Sequence, residues 1–283
     1  MELIEDLTNL RRRVRAWRDA GERIALVPTM GNLHRGHLRL VQEARAYAQR
    51  TVVSIFVNPL QFGPQEDLAA YPHTPGEDRA QLEAEGTDLL FAPSVATVYP
   101  RPPAEQTRVE VPGISDILCG ASRPGHFVGV ATVVCKLFNM AQPDLAVFGE
   151  KDFQQLLVIR RMTEDLCLPV TIIGVPTVRE IDGLAMSSRN GYLTSAERTI
   201  APVVQRSLQE AAAALRAGGA AGAVEQATVQ ALAQGGLKPD YVAVRRALDL
   251  GEVGPTDREL VVLAAAWLGR ARLIDNLRVT RAA

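Results

Sequence analysis

The sequence predicts an α/β fold in which a doubly wound parallel sheet is followed by a second, smaller α+β domain. Three observations support this prediction. Short, apolar, β-branched runs alternate with amphipathic helical patterns through the first two thirds of the chain. Near residue 176 the sequence pattern changes. Alanine-rich helical patterns come first, and strand-like runs then follow one another directly. Alternating strands and helices are typical of parallel sheets, whereas clustered strands are typical of an antiparallel α+β unit.

The first domain is predicted to span residues 1–176. Its buried strands are predicted at 24–29, 51–57, 88–93, 145–149 and 170–178. Helical patterns lie at 3–19, 36–49, 77–85, 127–141 and 152–165. Doubly wound sheets bind ligands beyond the carboxyl ends of their strands, so we expect functional residues after Thr29, Val57 and Gly149.

The second domain is predicted to span residues 177–283. Thr194 and Glu197 form a helix start signal, which predicts a helix over 195–217. A second helix is predicted over 221–234. The three strand-like runs are 240–246, 259–268 and 271–279.

Composition excludes several classes of protein. The chain has 283 residues, with 31 basic and 32 acidic side chains and a formal net charge of -1, which argues against binding along nucleic acids. The three cysteines form no CxxC pair, so neither a disulfide nor a zinc framework is expected. There is no signal-peptide core and no apolar run of about 18 residues, so we expect a soluble cytoplasmic protein without a membrane partner.

A basic run, RRRVR at 11–15, invites comparison with nucleic-acid-binding segments. Its apolar partners Leu7, Leu10, Val14 and Trp17 recur at helical spacing. We therefore interpret the run as the solvated face of a packed helix.

The stretch VPTMGNLHRGHLRLV, at 27–41, holds two of the four histidines. His34 and His37 follow a strand and fall at a predicted helix start, where backbone N–H groups and the helix dipole favour an anion. Gly31 permits a sharp turn, and Gly36 removes a side chain that would keep a phosphate from the backbone. Phosphate binding is the favoured interpretation, while a metal site or a structural pair stays open.

Two further segments carry polar groups near predicted strand ends or helix starts. In SIFVNPLQFGP, Asn58 and Gln61 provide amides suited to a hydroxyl or a carboxylate, or they are merely exposed in a turn. In SRPGHFVGVATVV, Arg123 and His126 are either phosphate donors on a mobile loop or part of a glycine-rich turn.

Two more segments offer groups for a nucleotide. In VFGEKDFQQ, Lys151 suits a triphosphate, Asp152 either caps a helix or binds ribose, and Gln155 faces the same way as Asp152. In MSSRN, Ser187, Ser188 and Arg189 either hold phosphates or belong to an ordinary linking loop. The chain has no GxSxG motif, which disfavours acyl-serine chemistry.

Together these segments resemble the pantothenate synthetase (pantoate–β-alanine ligase) family, adenylate-forming members of the HxGH nucleotidyltransferase superfamily. The resemblance is carried by PTMGNLHRGH, FVNPLQF, YPHT, SRPGHFVGVATVV, VFGEKDFQQ, AMSSRNGYL and RLIDNLRV. These segments span nearly the whole chain and are far more specific together than HxGH alone. The resemblance implies a Rossmann-like first domain, a smaller lid domain and a homodimer.

The resemblance also implies a reaction and its substrates. Pantoate's carboxylate would attack the α-phosphorus of ATP, and the amine of β-alanine would then displace AMP to form an amide. Mg²⁺ would be bound mainly through the ATP phosphates, and no protein metal ligand is assigned.

Residue roles follow from the same resemblance. Catalysis and triphosphate binding would involve His34, His37, Lys151, Ser187, Ser188 and Arg189. The ATP site would also include Met30, Gly149, Asp152, Val178 and Met186. Pantoate would be bound by Gln61, Gln155 and Asn58. Gate or phosphate contacts would come from Tyr71, Arg123 and His126.

Three positions depart from the family pattern, and other functions compete. Arg35 and Cys119 stand where the family often has acidic residues, and Val128 replaces a polar one. Rival functions are a nucleotidyltransferase that stops after transfer, a class I aminoacyl-tRNA synthetase, and an inactive nucleotide-binding regulator. The amide-rich set and the balanced charge favour the ligase.

Overall fold

The computed structural model describes residues 1–64 and 66–281, which form two sheets with their own helices. The strands are β1 (Glu2–Ile4), β2 (Ile24–Thr29), β3 (Arg50–Ile55), β4 (Leu89–Phe91), β5 (Leu145–Gly149), β6 (Thr171–Val175), β7 (Lys238–Arg246), β8 (Glu259–Leu268) and β9 (Ala271–Thr280). The helices are α1 (Leu7–Asp19), α2 (Arg35–Tyr47), α3 (Pro75–Ala84), α4 (Val95–Val98), α5 (Cys119–Ser122), α6 (His126–Ala141), α7 (Phe153–Asp165), α8 (Ser195–Ile200), α9 (Val203–Arg216) and α10 (Ala221–Gln234).

The first sheet is parallel and doubly wound, as predicted. Its six strands run in the order β1-β4-β3-β2-β5-β6, so β2 lies between β3 and β5. The chain builds outward from β2 on one side and then returns to build β5 and β6 on the other. The loops after β2 and β5 therefore meet at the point where the strand order reverses, which is where such sheets bind ligands.

The start of the first domain differs from the prediction. The helix expected over 3–19 begins only at Leu7, and Glu2–Ile4 forms an edge strand paired with β4. Asp6 sets the helix start, because its carboxylate accepts a hydrogen bond from the backbone N–H of Asn9 at 2.9 Å. A three-residue strand is too short to produce a recognisable alternation pattern.

The helix predicted over 195–217 is two helices. Thr194 and Glu197 form the expected capping box, so α8 begins where predicted. Pro202 then interrupts the chain between α8 and α9, because proline has no N–H to continue the helical ladder. Among the helices that the structure describes, none is long and apolar enough to cross a membrane.

The second sheet is antiparallel, in the order β7-β8-β9, and its central strand β8 is buried on both faces. Leu260 and Val262 pack with α9 and α10 in one core, whereas Val261 and Leu263 join the core of the first sheet. This double burial explains why β8 reads as a continuous apolar run. We call β1 to β6 with their helices the larger lobe, and α8 to β9 the smaller lobe.

Candidate active site

A cleft of about 740 Å³ lies at the carboxyl ends of β2 and β5 and is closed on one side by residues of the smaller lobe. Every candidate residue identified from the sequence lines this cleft. These residues are Met30, His34, His37, Asn58, Gln61, Tyr71, Arg123, His126, Gly149, Lys151, Asp152, Gln155, Val178, Met186, Ser187, Ser188 and Arg189.

The turn before α2 is held by a buried carboxylate that sequence patterns did not identify. Asp78, on α3, is 1% exposed and accepts hydrogen bonds from the backbone N–H groups of Asn32 at 2.9 Å and Leu33 at 2.8 Å. Gly31 has a positive φ of 81°, which glycine adopts without strain. Asp78 therefore fixes the path of the chain into the first turn of α2.

Both imidazoles at this helix start leave the same ring nitrogen, Nε2, available to bind a ligand. The Nδ1 of His34 accepts the N–H of Gly36 at 3.1 Å, and the Nδ1 of His37 accepts the N–H of His34 at 3.3 Å. In a neutral imidazole the other nitrogen carries the proton, so each ring keeps an Nε2–H to donate. The ring centroids are 4.1 Å apart, so the two donors form one pair.

The electrostatic environment keeps this pair neutral. Burial, with a smaller effect from Lys151, lowers the pKa of His34 to about 4. Burial, with smaller effects from His34 and Lys151, lowers the pKa of His37 to about 3. Near neutral pH the rings therefore act as hydrogen-bond donors without a charge of their own. Among the residues that the structure describes, no group of three candidate metal ligands is found, so the metal interpretation of the pair has no support.

Gly36 has a packing role besides the predicted one. A Cβ at this position would lie 2.8 Å from Cε1 and 2.9 Å from Nδ1 of His34. The glycine thus makes room for the His34 ring that packs over the helix start, rather than only for a ligand.

The turn after β3 orients one amide through another. Asn58 is 1% exposed, and its Nδ2 donates to the carbonyl of Gly129 at 3.0 Å and to Oε1 of Gln61 at 3.1 Å. Its Oδ1 accepts the hydroxyl of Tyr99 at 2.8 Å. The amide of Asn58 is therefore engaged by protein groups, and this geometry suits positioning of Gln61 better than direct ligand binding.

Helix α6 forms an apolar wall of the cleft, which sequence analysis missed. Val130, Val133, Val134 and Leu137 recur at helical spacing and line the cleft beside Phe148. The pattern was readable, but the same spacing is typical of any buried helix, and α6 is largely buried.

The turn after β5 carries Lys151 and Asp152 into the cleft. The capping alternative for Asp152 is wrong, because its side chain makes no cap hydrogen bond to α7 although it occupies the N-cap position. Asn276 of β9 holds this turn from the smaller lobe, donating to the carbonyls of Glu150 and Lys151, each at 2.9 Å. The motif RLIDNLRV thus contributes a positioning residue to the cleft.

The neighbouring glutamines on α7 have separate environments. Gln154 is buried and bonds the backbone at Ile114, Ile117 and Cys119, so it is structural. Gln155 lines the cleft, as its predicted role requires.

The MSSRN segment, which lies between the two lobes, contacts the histidine turn. The hydroxyl of Ser188 donates to the carbonyl of Asn32 at 3.1 Å. Arg189, on the same 3₁₀ turn, pairs with Asp67 at 3.0 Å. The MSSRN segment therefore closes one side of the cleft, and the description as an ordinary linking loop is not adequate.

Arg123 and His126 are engaged within the larger lobe. Arg123 makes two 2.6 Å bonds to the carboxylate of Glu66. The Nδ1 of His126 lies 2.8 Å from the carbonyl of Gln61, so this nitrogen carries the proton, and Nε2 faces Arg123 at 3.0 Å. Burial, and then the charge of Arg123, lower the pKa of His126 to about 4. This geometry supports the gate alternative over a free phosphate contact.

Two of the three departures from the family pattern, Arg35 and Cys119, lie at contacts between segments distant in sequence. Arg35 pairs with Glu180 at 3.0 Å. The thiol of Cys119 lies 3.1 Å from the Tyr241 hydroxyl and 3.5 Å from two nitrogens of Arg272.

Comparison with known proteins agrees with this site over the whole chain. The family model described as pantoate-beta-alanine ligase matches residues 2–278. The chain is 57% identical to a pantothenate synthetase of Shewanella loihica over 282 residues, covering 100% of both, and 56% identical to one of Idiomarina loihiensis over 283 residues, covering 100% of this chain and 99% of that one.

Solved structures show the same relationship. The structure of pantothenate synthetase from Thermus thermophilus matches with a TM-score of 0.91 and 46% identity, covering 98% of this chain and 99% of that one. Pantoate-beta-alanine ligase from Francisella tularensis, complexed with beta-gamma ATP and beta-alanine, matches with a TM-score of 0.81 and 32% identity, covering 98% and 97%. The chain belongs to the pantoate–β-alanine ligase family.

Proposed function

We propose that this protein joins pantoate to β-alanine in an ATP-dependent reaction that passes through pantoyl adenylate and releases pyrophosphate and AMP. One observation carries the proposal: a single cleft combines neutral and cationic phosphate donors with an apolar, amide-bearing wall. A nucleotidyltransferase acting on a phosphate acceptor has no need of such a wall. Pantoate, with two methyl groups, two hydroxyls and a carboxylate, matches it well.

In the first step, a carboxylate oxygen of pantoate attacks the α-phosphorus of ATP, and the bond to pyrophosphate breaks. The Nε2–H groups of His34 and His37 donate to phosphate oxygens as negative charge develops there. Lys151 supplies the compensating positive charge beside them. Ser187, Ser188 and Arg189 hold the outer phosphates from the other side of the cleft.

Pantoate is held so that its carboxylate faces the α-phosphorus. Gln61 and Gln155 bind its hydroxyl and carboxylate groups, and Asn58 keeps Gln61 in place. The methyl groups pack on the α6 wall of Val130, Val133 and their neighbours. Gly149 and Asp152 bind the ribose, and Met30, Val178 and Met186 line the nucleotide site.

In the second step, the neutral amine of β-alanine attacks the carbonyl carbon of the mixed anhydride. The carbon–oxygen bond to AMP breaks, the amide forms, and the amine loses a proton. No protein nucleophile is required, because the adenylate already supplies a good leaving group. Catalysis rests on positioning and on charge stabilisation.

The proposal also covers the domain organisation, the homodimer, Mg²⁺ and the location of the protein. Residues 1–176 form the domain that binds nucleotide and pantoate, and residues 177–283 form the lid and contribute to a homodimer. ATP enters as its Mg²⁺ complex, with the metal held mainly by the phosphates. The location is proposed to be cytoplasmic.

The proposal is tested by the substrate dependence of product formation. Purified protein with Mg²⁺ and ATP is expected to release pyrophosphate only when pantoate is present, and to form pantothenate only when β-alanine is also added. Release of AMP at the same rate without pantoate would contradict the assignment.

A further inference from the structure

One carboxylate joins the larger lobe to the turn that leads into the smaller lobe, across the cleft. Oδ1 of Asp67 accepts a hydrogen bond from Nη2 of Arg189 at 3.0 Å, and Oδ2 accepts one from the hydroxyl of Tyr192, also at 3.0 Å. Asp67 follows β3 in the larger lobe, whereas Arg189 and Tyr192 lie three residues apart on the 3₁₀ turn Ser188–Tyr192. Both oxygens of Asp67 are thus engaged by one turn of the opposite side.

The guanidinium of Arg189 is fixed in place from a second direction. Its carbon lies 6.0 Å from the centroid of the buried Tyr71 ring, within cation–π distance. Asp67, Tyr71, Arg189 and Tyr192 all line the cleft. Ring and carboxylate together determine where the guanidinium lies relative to the histidine pair.

The Asp67 contact leaves Arg189 able to bind a second anion. Guanidinium has five N–H donors, and Asp67 takes a bond from Nη2 alone rather than gripping two nitrogens. The contrast with Glu66 is direct, because Glu66 holds Arg123 through both Nε and Nη2. One-point contact orients a guanidinium, while two-point contact occupies a whole edge of it.

We propose that Asp67 is a positioning residue for ATP: it holds the Ser188–Tyr192 turn across the cleft and orients Arg189 toward the triphosphate. This inference rests on the proposed function, in which Arg189 binds phosphate. In this inference, Asp67 keeps its contact with Arg189 when ATP is bound. The opposing possibility is that the carboxylate competes with phosphate for Arg189.

The test is Asp67→Asn, which removes the charge and keeps the size of the side chain. We expect the KM for ATP to rise roughly tenfold, the scale of a lost charge-assisted hydrogen bond, with a smaller change in kcat. Binding of a non-hydrolysable ATP analogue, measured by calorimetry, is expected to weaken by a similar factor. Asp67→Glu is expected to restore part of the affinity, and Tyr192→Phe to cost less than Asp67→Asn.

A double-mutant comparison separates positioning from general loop structure. In an Arg189→Ala background, Asp67→Asn is expected to cause almost no further loss of ATP affinity, because its effect acts through the guanidinium. The matched control is Glu83→Gln, which makes the same charge change in an exposed helical pair with Arg79 and is expected to leave ATP binding unchanged.

Three results would overturn the inference. A fall in KM for ATP in Asp67→Asn would show competition, an unchanged KM would show no role, and an undiminished loss in the Arg189→Ala background would show a role independent of Arg189. Because the calorimetry needs no turnover, these outcomes are distinct from failure of the proposed function. That failure appears in the unmodified protein as missing pantoate-dependent pyrophosphate release.

Discussion

Replacing His37 with alanine, or Lys151 with alanine, is expected to lower the rate of adenylate formation by at least ~10²-fold, the scale of a lost transition-state donor. His37 offers a neutral Nε2–H, and Lys151 is the cation that acts on both imidazoles. The measurement is the initial rate of pantoate-dependent pyrophosphate release at saturating substrates.

The matched controls carry the same substitutions outside the cleft. His73 and Lys238 are exposed and do not line it, so His73→Ala and Lys238→Ala are expected to keep nearly full activity. Near-normal turnover in both His37→Ala and Lys151→Ala would show that the phosphate site lies elsewhere.

Replacing Gly129 with alanine is expected to damage pantoate binding and stability together. A Cβ there would lie 2.3 Å from the carbonyl oxygen of Leu60 and 2.7 Å from the backbone nitrogen of Gln61. Backbone atoms cannot rotate away as a side chain can, so α6 and the Asn58–Gln61 turn must separate. We expect the free energy of unfolding to fall by about 1–3 kcal/mol. We also expect kcat/KM for pantoate to fall by at least ~10-fold, since small misplacement of positioning groups is costly.

Gly222→Ala provides the control for this substitution. Gly222 lies in α10, and a Cβ there meets no atom within 4 Å. Alanine is expected to stabilise the protein there by about 0.5–1 kcal/mol, because it restricts the unfolded chain. The measurements are the free energy of unfolding in urea and kcat/KM for pantoate, for both variants. Equal behaviour of Gly129→Ala and Gly222→Ala would refute the close approach of α6 to the turn.

The parallel sheet and the location of the cleft were predictable because their signals are local. β2, β3 and β5 are short apolar runs, and the polar loops that follow them converge at one edge of any parallel sheet. His34 and Lys151 are far apart in sequence, yet each follows a strand of this group. The rule about strand ends was therefore sufficient to place them in one cleft.

The residues that orient the site were not predictable, because each acts over a long sequence separation. Asp78 reads as an ordinary acidic residue in the first turn of a helix, yet it is buried against a turn 45 residues earlier. Asn276 lies in a strand and reaches a turn 125 residues away. Nothing in the local pattern shows what either side chain contacts, although Asn276 stands in the motif RLIDNLRV.

The packing roles of two glycines were not predictable either, for a related reason. In a helical pattern, glycine indicates a low intrinsic helix propensity. It does not indicate which other segments pack against the helix at that position. Gly36 and Gly129 are needed because a ring in one case and a backbone turn in the other lie against the helix. Such contacts exist only in the folded chain. The polar groups that line the cleft were therefore more predictable from the sequence than the packing that orients them.

Transfer of oxygen from pantoate to AMP tests the central claim, activation of the carboxylate as an acyl adenylate. With pantoate labelled by ¹⁸O in its carboxylate, attack on the α-phosphorus places a labelled oxygen between carbon and phosphorus. Cleavage of the carbon–oxygen bond by β-alanine then leaves that oxygen on AMP. Mass spectrometry of the products is expected to find labelled AMP and unlabelled pyrophosphate. Unlabelled AMP, or label in inorganic phosphate formed together with ADP, would contradict the adenylate route.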